Sequence, residues 1–159
     1  MEFELINLLK NKGLTISFAE SCTCGLLASK IGNVPGASSV FNESYVTYAN
    51  SSKMKLLGVK STTLDTYGAV SFQTALEMSS GVKIASNSDI GIGITGIAGP
   101  DGGTDEKPVG LVYISVCTDI EHIYEKCIFK GDRQAVRNSA ADKAIEMTIN
   151  ILKGCIEND

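Results

Sequence analysis

Apolar residues recur at helical spacing over residues 2–12, with Phe3, Ile6, Leu8 and Leu9 on one stripe and Gly13 placed to end the helix. The period then changes. LTISFAE (14–20) has the β-branched and aromatic content of a strand, SCTCG (21–25) breaks it, and LLASKIGNV (26–34) returns to helical spacing until Pro35 and Gly36. SSVFNESYVTYA (38–49) reads as a second strand and SSKMKLLG (51–58) as a short helix. SFQTALEMSSGVKIASN (71–87) reads as a longer helix with Ser71 as its N-cap. DIGIGITGIAG (89–99) is a strand with glycine at alternate positions, a spacing that signals close approach of another backbone or of a ligand. After the loop GPDGGTDEKP, the runs VGLVYISVCT and EHIYEKCIFK are separated by a short polar link around Asp119 and predict an antiparallel hairpin. A last helix begins near Asp132.

Interleaved strands and helices with one hairpin predict an α/β fold, a three-layer α/β/α sandwich on a mixed sheet, with ligands expected at the carboxyl ends of strands. A chain of 159 residues suits a single domain, 1–159, and no repeat, linker or low-complexity tail interrupts it.

Composition narrows the classes of partner. With 43% hydrophobic and 20% charged residues the chain is globular, and no segment approaches the roughly 18 uninterrupted apolar residues of a membrane helix, so a soluble protein is expected. The N-terminus carries acids early, unlike a signal peptide, and points to the cytoplasm. A formal charge of -4 argues against nucleic acid as the main ligand while leaving room for a local basic pocket. Five cysteines, an odd count from Cys22 to Cys155, form no disulfide framework and read mostly as small buried hydrophobes. Cys22 and Cys24 are spaced C-x-C and the single histidine, His122, is about a hundred residues away, which speaks against zinc; no metal and no cofactor is expected.

The turn from Glu20 to Gly25 puts a small hydroxyl residue where a strand gives way to a helix, and backbone N–H groups of the first turn face whatever sits above it. That suits Ser21 as a nucleophile with the amides of Cys22 and Thr23 as oxyanion donors, each of a kind whose loss costs roughly 3–4 kcal/mol. Taken alone, a serine at a strand-to-helix junction is most often a plain N-cap. Cys22 is a rival nucleophile that lacks a basic neighbour in the turn. His122 falls at the exposed start of a hairpin strand, so a Ser-His-Asp triad is not expected and lysine is the alternative base. Lys53 follows TYANSS directly after a strand, near the sheet edge expected for Ser21, although such a lysine also reads as a solvated helix residue. At a pKa near 10.4 only about one lysine in 2500 is neutral at pH 7, and a pKa of ~8 raises this to roughly one in ten. TGIAGPDGGT follows a strand, and its amides are able to surround a phosphate or a ring carboxamide, or it is a surface turn. Arg133 and Arg137 open the last helix, where a cation is unfavourable to the dipole unless an anion is bound; an exposed, solvated pair is the alternative.

Taken together and in order, AESCTCG, VPGASSVF, VTYANSSK, LLGV, GAVS, TGIAGPDGGTDEKPVG and GDRQAVR resemble the CinA C-terminal domain family, the nicotinamide-nucleotide amidases, over nearly the whole chain. The resemblance implies hydrolysis of nicotinamide mononucleotide to nicotinic acid mononucleotide and ammonia in pyridine-nucleotide salvage, by an α/β/α domain that often dimerises and needs no metal. Position by position it implies Ser21 as nucleophile and Lys53 as base, with Tyr48 beside them and Asn50 lining the pocket. Cys22 and Thr23 form the oxyanion turn, Thr95, Gly96, Gly99 and Gly102 the substrate loop, and Arg133 or Arg137 the phosphate side. One departure stands out. The family pattern is ESCTGG, and here Cys24 replaces the first of those glycines. The alternative is therefore a pyridine-nucleotide-binding module whose turnover Cys24 impairs. The chain also resembles the domain on its own, without the larger N-terminal domain that many relatives carry.

Overall fold

A computed structural model of the chain describes residues 1–154, so Cys155 lies outside the described residues. The elements run α1 (Glu2–Lys12), β1 (Ile16–Glu20), α2 (Leu26–Gly32), a 3-10 turn at Ala37–Ser39, β2 (Phe41–Val46), α3 (Asn50–Leu57), α4 (Ser61–Tyr67), α5 (Phe72–Ala85), β3 (Ile90–Gly96), β4 (Leu111–Cys117), β5 (His122–Ile128) and α6 (Arg133–Gly154). The sheet order is β2-β1-β3-β4-β5. β1 pairs parallel with β2 and β3, whereas β3–β4 and β4–β5 are antiparallel. Helices α1, α2 and α6 cover one face and α5, flanked by α3 and α4, the other, which gives the expected three-layer α/β/α sandwich on a mixed sheet.

Local chemistry accounts for most boundaries. Gly13 ends α1 in the left-handed conformation at φ 67, and the Ser71 hydroxyl caps α5 by accepting from the Thr74 amide at 3.2 Å. The expected strand 38–49 is shortened to six residues because Ala37–Ser39 close a 3-10 turn before it. Residues 61–67, which carry no strong periodic signal, form α4, with only Thr63 and Leu64 buried. In α1 the stripe is rotated from the expected one. Leu5, Ile6 and Leu9 are buried, whereas Phe3 is 63% exposed.

The alternating glycines of β3 explain how the layers meet. Ile90, Ile92 and Ile94 point into the larger core beside α1, α2 and α6. Gly91 and Gly93 occupy the opposite face, where a Cβ on Gly93 would stand 2.5 Å from the Ala75 carbonyl and 2.7 Å from the Ser79 amide. The close approach is therefore to the backbone of α5, which lies directly on the strand. Ala19, on the same side, joins Leu57, Leu64, Met78 and Val82 in the smaller core.

Gly93→Ala is expected to lower unfolding stability by about 2–3 kcal/mol, because neither backbone atom has room to give way. Gly32→Ala, whose Cβ would meet nothing within 4 Å, is expected to be neutral or slightly stabilising. Urea midpoints of the two variants provide the comparison, and equal midpoints would contradict this account of the α5–β3 contact.

Candidate active site

Because β2, β1 and β3 run parallel, their carboxyl ends meet along one edge of the sheet. Ser21 directly follows β1, and its amide donates to the Ile94 carbonyl of β3 at 3.0 Å. On the other side the Thr47 amide donates to the Glu20 carbonyl at 2.9 Å, which brings the start of α3 and Lys53 to the same edge. The loop between β3 and β4 closes the third side. It is tied back by Ile97 N to the Leu111 carbonyl and Gly110 N to the Ile97 carbonyl, both at 2.8 Å, and by Lys107 Nζ to the Tyr67 carbonyl at 2.7 Å.

These elements enclose a cleft of about 270 Å³ lined by Ser21, Cys22, Tyr48, Lys53, Thr95, Gly96, Gly99, Gly102 and Arg133 among others. Lys53 is the unusual member, only 1% exposed. Its Nζ lies 2.7 Å from the Thr47 carbonyl, 3.3 Å from the Tyr48 carbonyl and 3.1 Å from Ser21 Oγ. No carboxylate among the described residues stands within ion-pair distance of it. A neutral amine has two N–H bonds and one lone pair. The two carbonyls accept only, so in the neutral form they take the N–H groups and the lone pair is left for the Ser21 hydroxyl, whereas the ammonium donates to all three. Burial acts in the same direction, lowering the Lys53 pKa because the charged form loses its water.

Cys22 is in the opposite situation. Burial pushes its thiol up to about 11, outweighing the nearby Arg137 and Lys53, so it is held as the un-ionised thiol. Cys24 is exposed, with φ 49 in the left-handed region that glycine adopts freely and other residues rarely. Of the four described cysteines only Cys22 and Cys117 are buried, so the expectation of mostly buried thiols fails at Cys24 and, with half-buried Cys127, holds only in part.

The first-turn amides of α2 do not face the cleft as the sequence suggested. Those of Leu27 and Ala28 donate to the carboxylate of Glu20, at 3.1 and 2.9 Å, and this fully buried side chain caps the helix from the strand side. The Thr23 amide has no hydrogen-bond partner among the described residues, whereas the Cys22 amide is directed at its own sulfur. The Thr23 hydroxyl is buried without a partner as well.

The arginines divide. Arg133 lines the cleft and donates from Nη1 to the Gly99 carbonyl at 2.8 Å and from Nη2 to the Tyr48 hydroxyl at 3.0 Å. Arg137 stands outside the lining, with its donors on the carbonyls of Cys22 and Thr23. Both thus occupy the start of α6 as ties to neighbouring loops, so no bound anion is needed to explain them; Asp132 caps the helix through the Ala135 amide at 2.8 Å. Asn50 is exposed at the start of α3 and outside the lining, whereas Thr95 is buried and its hydroxyl donates to the Ala69 carbonyl at 2.8 Å. His122 lies at the other end of the sheet, 3.0 Å from Ser79 Oγ. Asp101, in the GPDGG segment assigned to the substrate loop, lines the cleft, and so do Ala69, Val70, Ile97 and Ala98, to which sequence reasoning assigned no role. Ala69 and Val70 belong to the GAVS segment and Ile97 and Ala98 to TGIAGPDGGT, so the motifs carried the signal although these single residues did not. No cluster of metal-ligating side chains occurs among the described residues, and no helix there is long and apolar enough to cross a membrane.

Comparison with known proteins agrees with this architecture. The family model described as the CinA C-terminal domain matches residues 1–152. A CinA-like protein of Kosmotoga olearia is 53% identical over 146 residues, which take in 92% of this chain and 35% of that protein. The chain spans about a third of the length of the curated relatives it matches. Among solved structures, the competence/damage inducible protein CihA from Agrobacterium tumefaciens superposes with a TM-score of 0.93 at 38% identity, covering 96% of this chain and 93% of that one. A CinA superfamily protein from Klebsiella pneumoniae gives a TM-score of 0.93 at 30% identity, covering 96% of each chain.

The contrast between the two turn cysteines leads to a direct expectation. Iodoacetamide at pH 7.5 should alkylate Cys24 in the native protein and leave Cys22 unmodified, as read by peptide mass spectrometry. Labelling of Cys22 at a rate close to that of Cys24 would contradict the buried, un-ionised thiol.

Proposed function

The chain belongs to the CinA C-terminal domain family, and from that premise we propose that it is an amidase hydrolysing the carboxamide of nicotinamide mononucleotide to nicotinic acid mononucleotide and ammonia. The observation that carries the reading is the contact of Lys53 Nζ with Ser21 Oγ at 3.1 Å, in a setting that favours the neutral amine. Ser21 Oγ attacks the carboxamide carbon while Lys53 takes its proton, and the oxyanion forms beside the turn amides, of which that of Thr23 is unclaimed. The Lys53 ammonium then returns the proton to the departing nitrogen, the C–N bond breaks, and ammonia leaves an ester on Ser21. Water, deprotonated by the same amine, attacks the ester and frees the acid and the serine. Arg133 at the mouth is the cation offered to the phosphate, next to the Tyr48 hydroxyl. The cleft, at about 270 Å³, lies just below the usual range for small-molecule sites, which favours a small substrate. A homodimer belongs to this proposal as well, with light scattering as its test.

The binding-module alternative depends on Cys24 disturbing the turn. Its side chain is exposed and outside the cleft lining, and what speaks for a disturbed turn is its left-handed backbone at φ 49.

Ammonia release from nicotinamide mononucleotide tests the reading. Ser21→Ala and Lys53→Met are each expected to lower kcat by at least ~10²-fold with cooperative unfolding retained, and Cys22→Ala is expected to stay within tenfold of wild type. A Cys22→Ala enzyme without activity beside an active Ser21→Ala enzyme would transfer the nucleophile to the thiol. Cys24→Gly is expected to leave turnover within twofold and to raise stability by up to about 1 kcal/mol through release of the left-handed backbone; restored turnover from an inactive parent would favour the binding module.

The pH dependence has a definite sign. The Lys53 pKa is lower in the folded than in the unfolded state, so kcat/KM should rise with pH along a limb lying below the ordinary lysine value of about 10.4. Protonation opposes folding for the same reason. Stability of wild type relative to Lys53→Met is undiminished above about 10.4 and is lost as pH falls through the depressed value. Urea titrations of both proteins across that window should display the divergence, and parallel curves would contradict it.

A further inference from the structure

We propose that Arg137 is a positioning residue for the reaction at Ser21, gripping the backbone of the 21–25 turn from outside so that the Thr23 amide is aimed as an oxyanion donor. The inference rests on the amidase reading above and adds to it the element that orients the turn.

A trans peptide unit is planar, with its C=O and N–H pointing in opposite directions, so holding the carbonyl also aims the amide of the next residue. Arg137 Nε donates to the Cys22 carbonyl at 3.2 Å, and that peptide unit carries the Thr23 N–H. Nη2 of the same guanidinium donates to the Thr23 carbonyl at 2.8 Å, which also accepts from Leu26 N at 3.1 Å. Nη1 is held by Gln134 Oε1 at 3.2 Å, which steadies the guanidinium on α6. The preceding peptide unit, which carries the Cys22 N–H, is held differently, by Cys24 N on the Ser21 carbonyl at 3.1 Å. Thus the two peptide units have separate supports, and only the Thr23 amide depends on Arg137.

The grip has an electrostatic side as well. A guanidinium on a carbonyl polarises the peptide unit, making its N–H a stronger donor toward negative charge on the far side. A long-range tie from α6, more than a hundred residues along the chain, is what a turn of five residues lacks in its own bonding. Glu20 complements it from the strand side by taking the amides of Leu27 and Ala28, so the turn is fastened at both ends. Arg133, one helical turn earlier, lines the cleft instead, and the two arginines thereby differ in what their loss should do.

The test uses Arg137→Met and Arg137→Lys in the full chain, with nicotinamide mononucleotide as substrate. kcat and KM are measured separately across pH, and the ¹⁵N amide resonances of the turn are recorded in the free proteins. Arg137→Met is expected to lower kcat on the order of 10²-fold, as loss of one oxyanion donor does, with KM within threefold of wild type. The limb along which activity rises with pH should not move, since Lys53 is untouched. Arg137→Lys should recover part of the loss by donating to one of the two carbonyls. In the spectrum the Thr23 amide should shift clearly more than that of Cys22. An unchanged kcat in Arg137→Met, a loss confined to KM, or an unmoved Thr23 resonance would each overturn the proposal; the second would make Arg137 a phosphate contact. Should Arg137→Met not fold, Arg137→Lys decides by the same two readouts. A wild type that binds the nucleotide but frees no ammonia sinks the amidase reading separately, and the Thr23 resonance then decides the geometric inference alone, a shift upholding it and an unmoved resonance overturning it.

Discussion

An amine held away from water against a serine hydroxyl is the constraint around which the rest of this molecule is arranged. Lysine resists burial, and a buried ammonium normally keeps a carboxylate beside it. Lys53 has two backbone carbonyls and Ser21 Oγ instead. Those carbonyls belong to Thr47 and Tyr48, the residues that leave β2, so the surroundings of the amine are made by main chain whose course is set by the sheet. Moving β2 by one position along β1 would turn that main chain away and leave the lysine with nothing to donate to. The pairing of Glu20 with Val46 is therefore as much a part of the chemistry as the side chains are.

The same sheet keeps the competing chemistry apart. His122 opens β5, opposite Cys117 at the end of β4, and lies at the edge away from Ser21. There its ring meets Ser79, and burial lowers its pKa. Cys22, adjacent to the serine, is close enough to compete but is kept un-ionised by its surroundings. The three groups thus differ in place, burial and partner, and not only in residue type.

Much of this was legible in the chain. Periodicity located every strand and the helices with a clear apolar stripe, because each of those elements buries one face against the sheet. It passed over α4, where a seven-residue helix buries only Thr63 and Leu64, and it rotated the stripe of α1, where Phe3 stands exposed. Ser21, Lys53 and the glycine-rich loop could be singled out by composition and order. What could not be read was direction. Whether the α2 amides face the cleft depends on Glu20, whose carboxylate reaches them only because the turn folds it back. Whether an arginine at the start of α6 points at a ligand or at a carbonyl depends on loops far away in sequence, and here Arg133 and Arg137 differ although they are one helical turn apart.

The bare glycine face of β3 has an evolutionary consequence. With α5 resting on backbone, no layer of side chains lies between helix and strand to absorb a change in either. Ala75, Ser79, Gly91 and Gly93 consequently form one packing unit. Drift at any of them is open only to residues no larger than the present one, or to lineages in which the facing position changes at the same time, while the isoleucine face of the same strand is free to exchange one branched side chain for another.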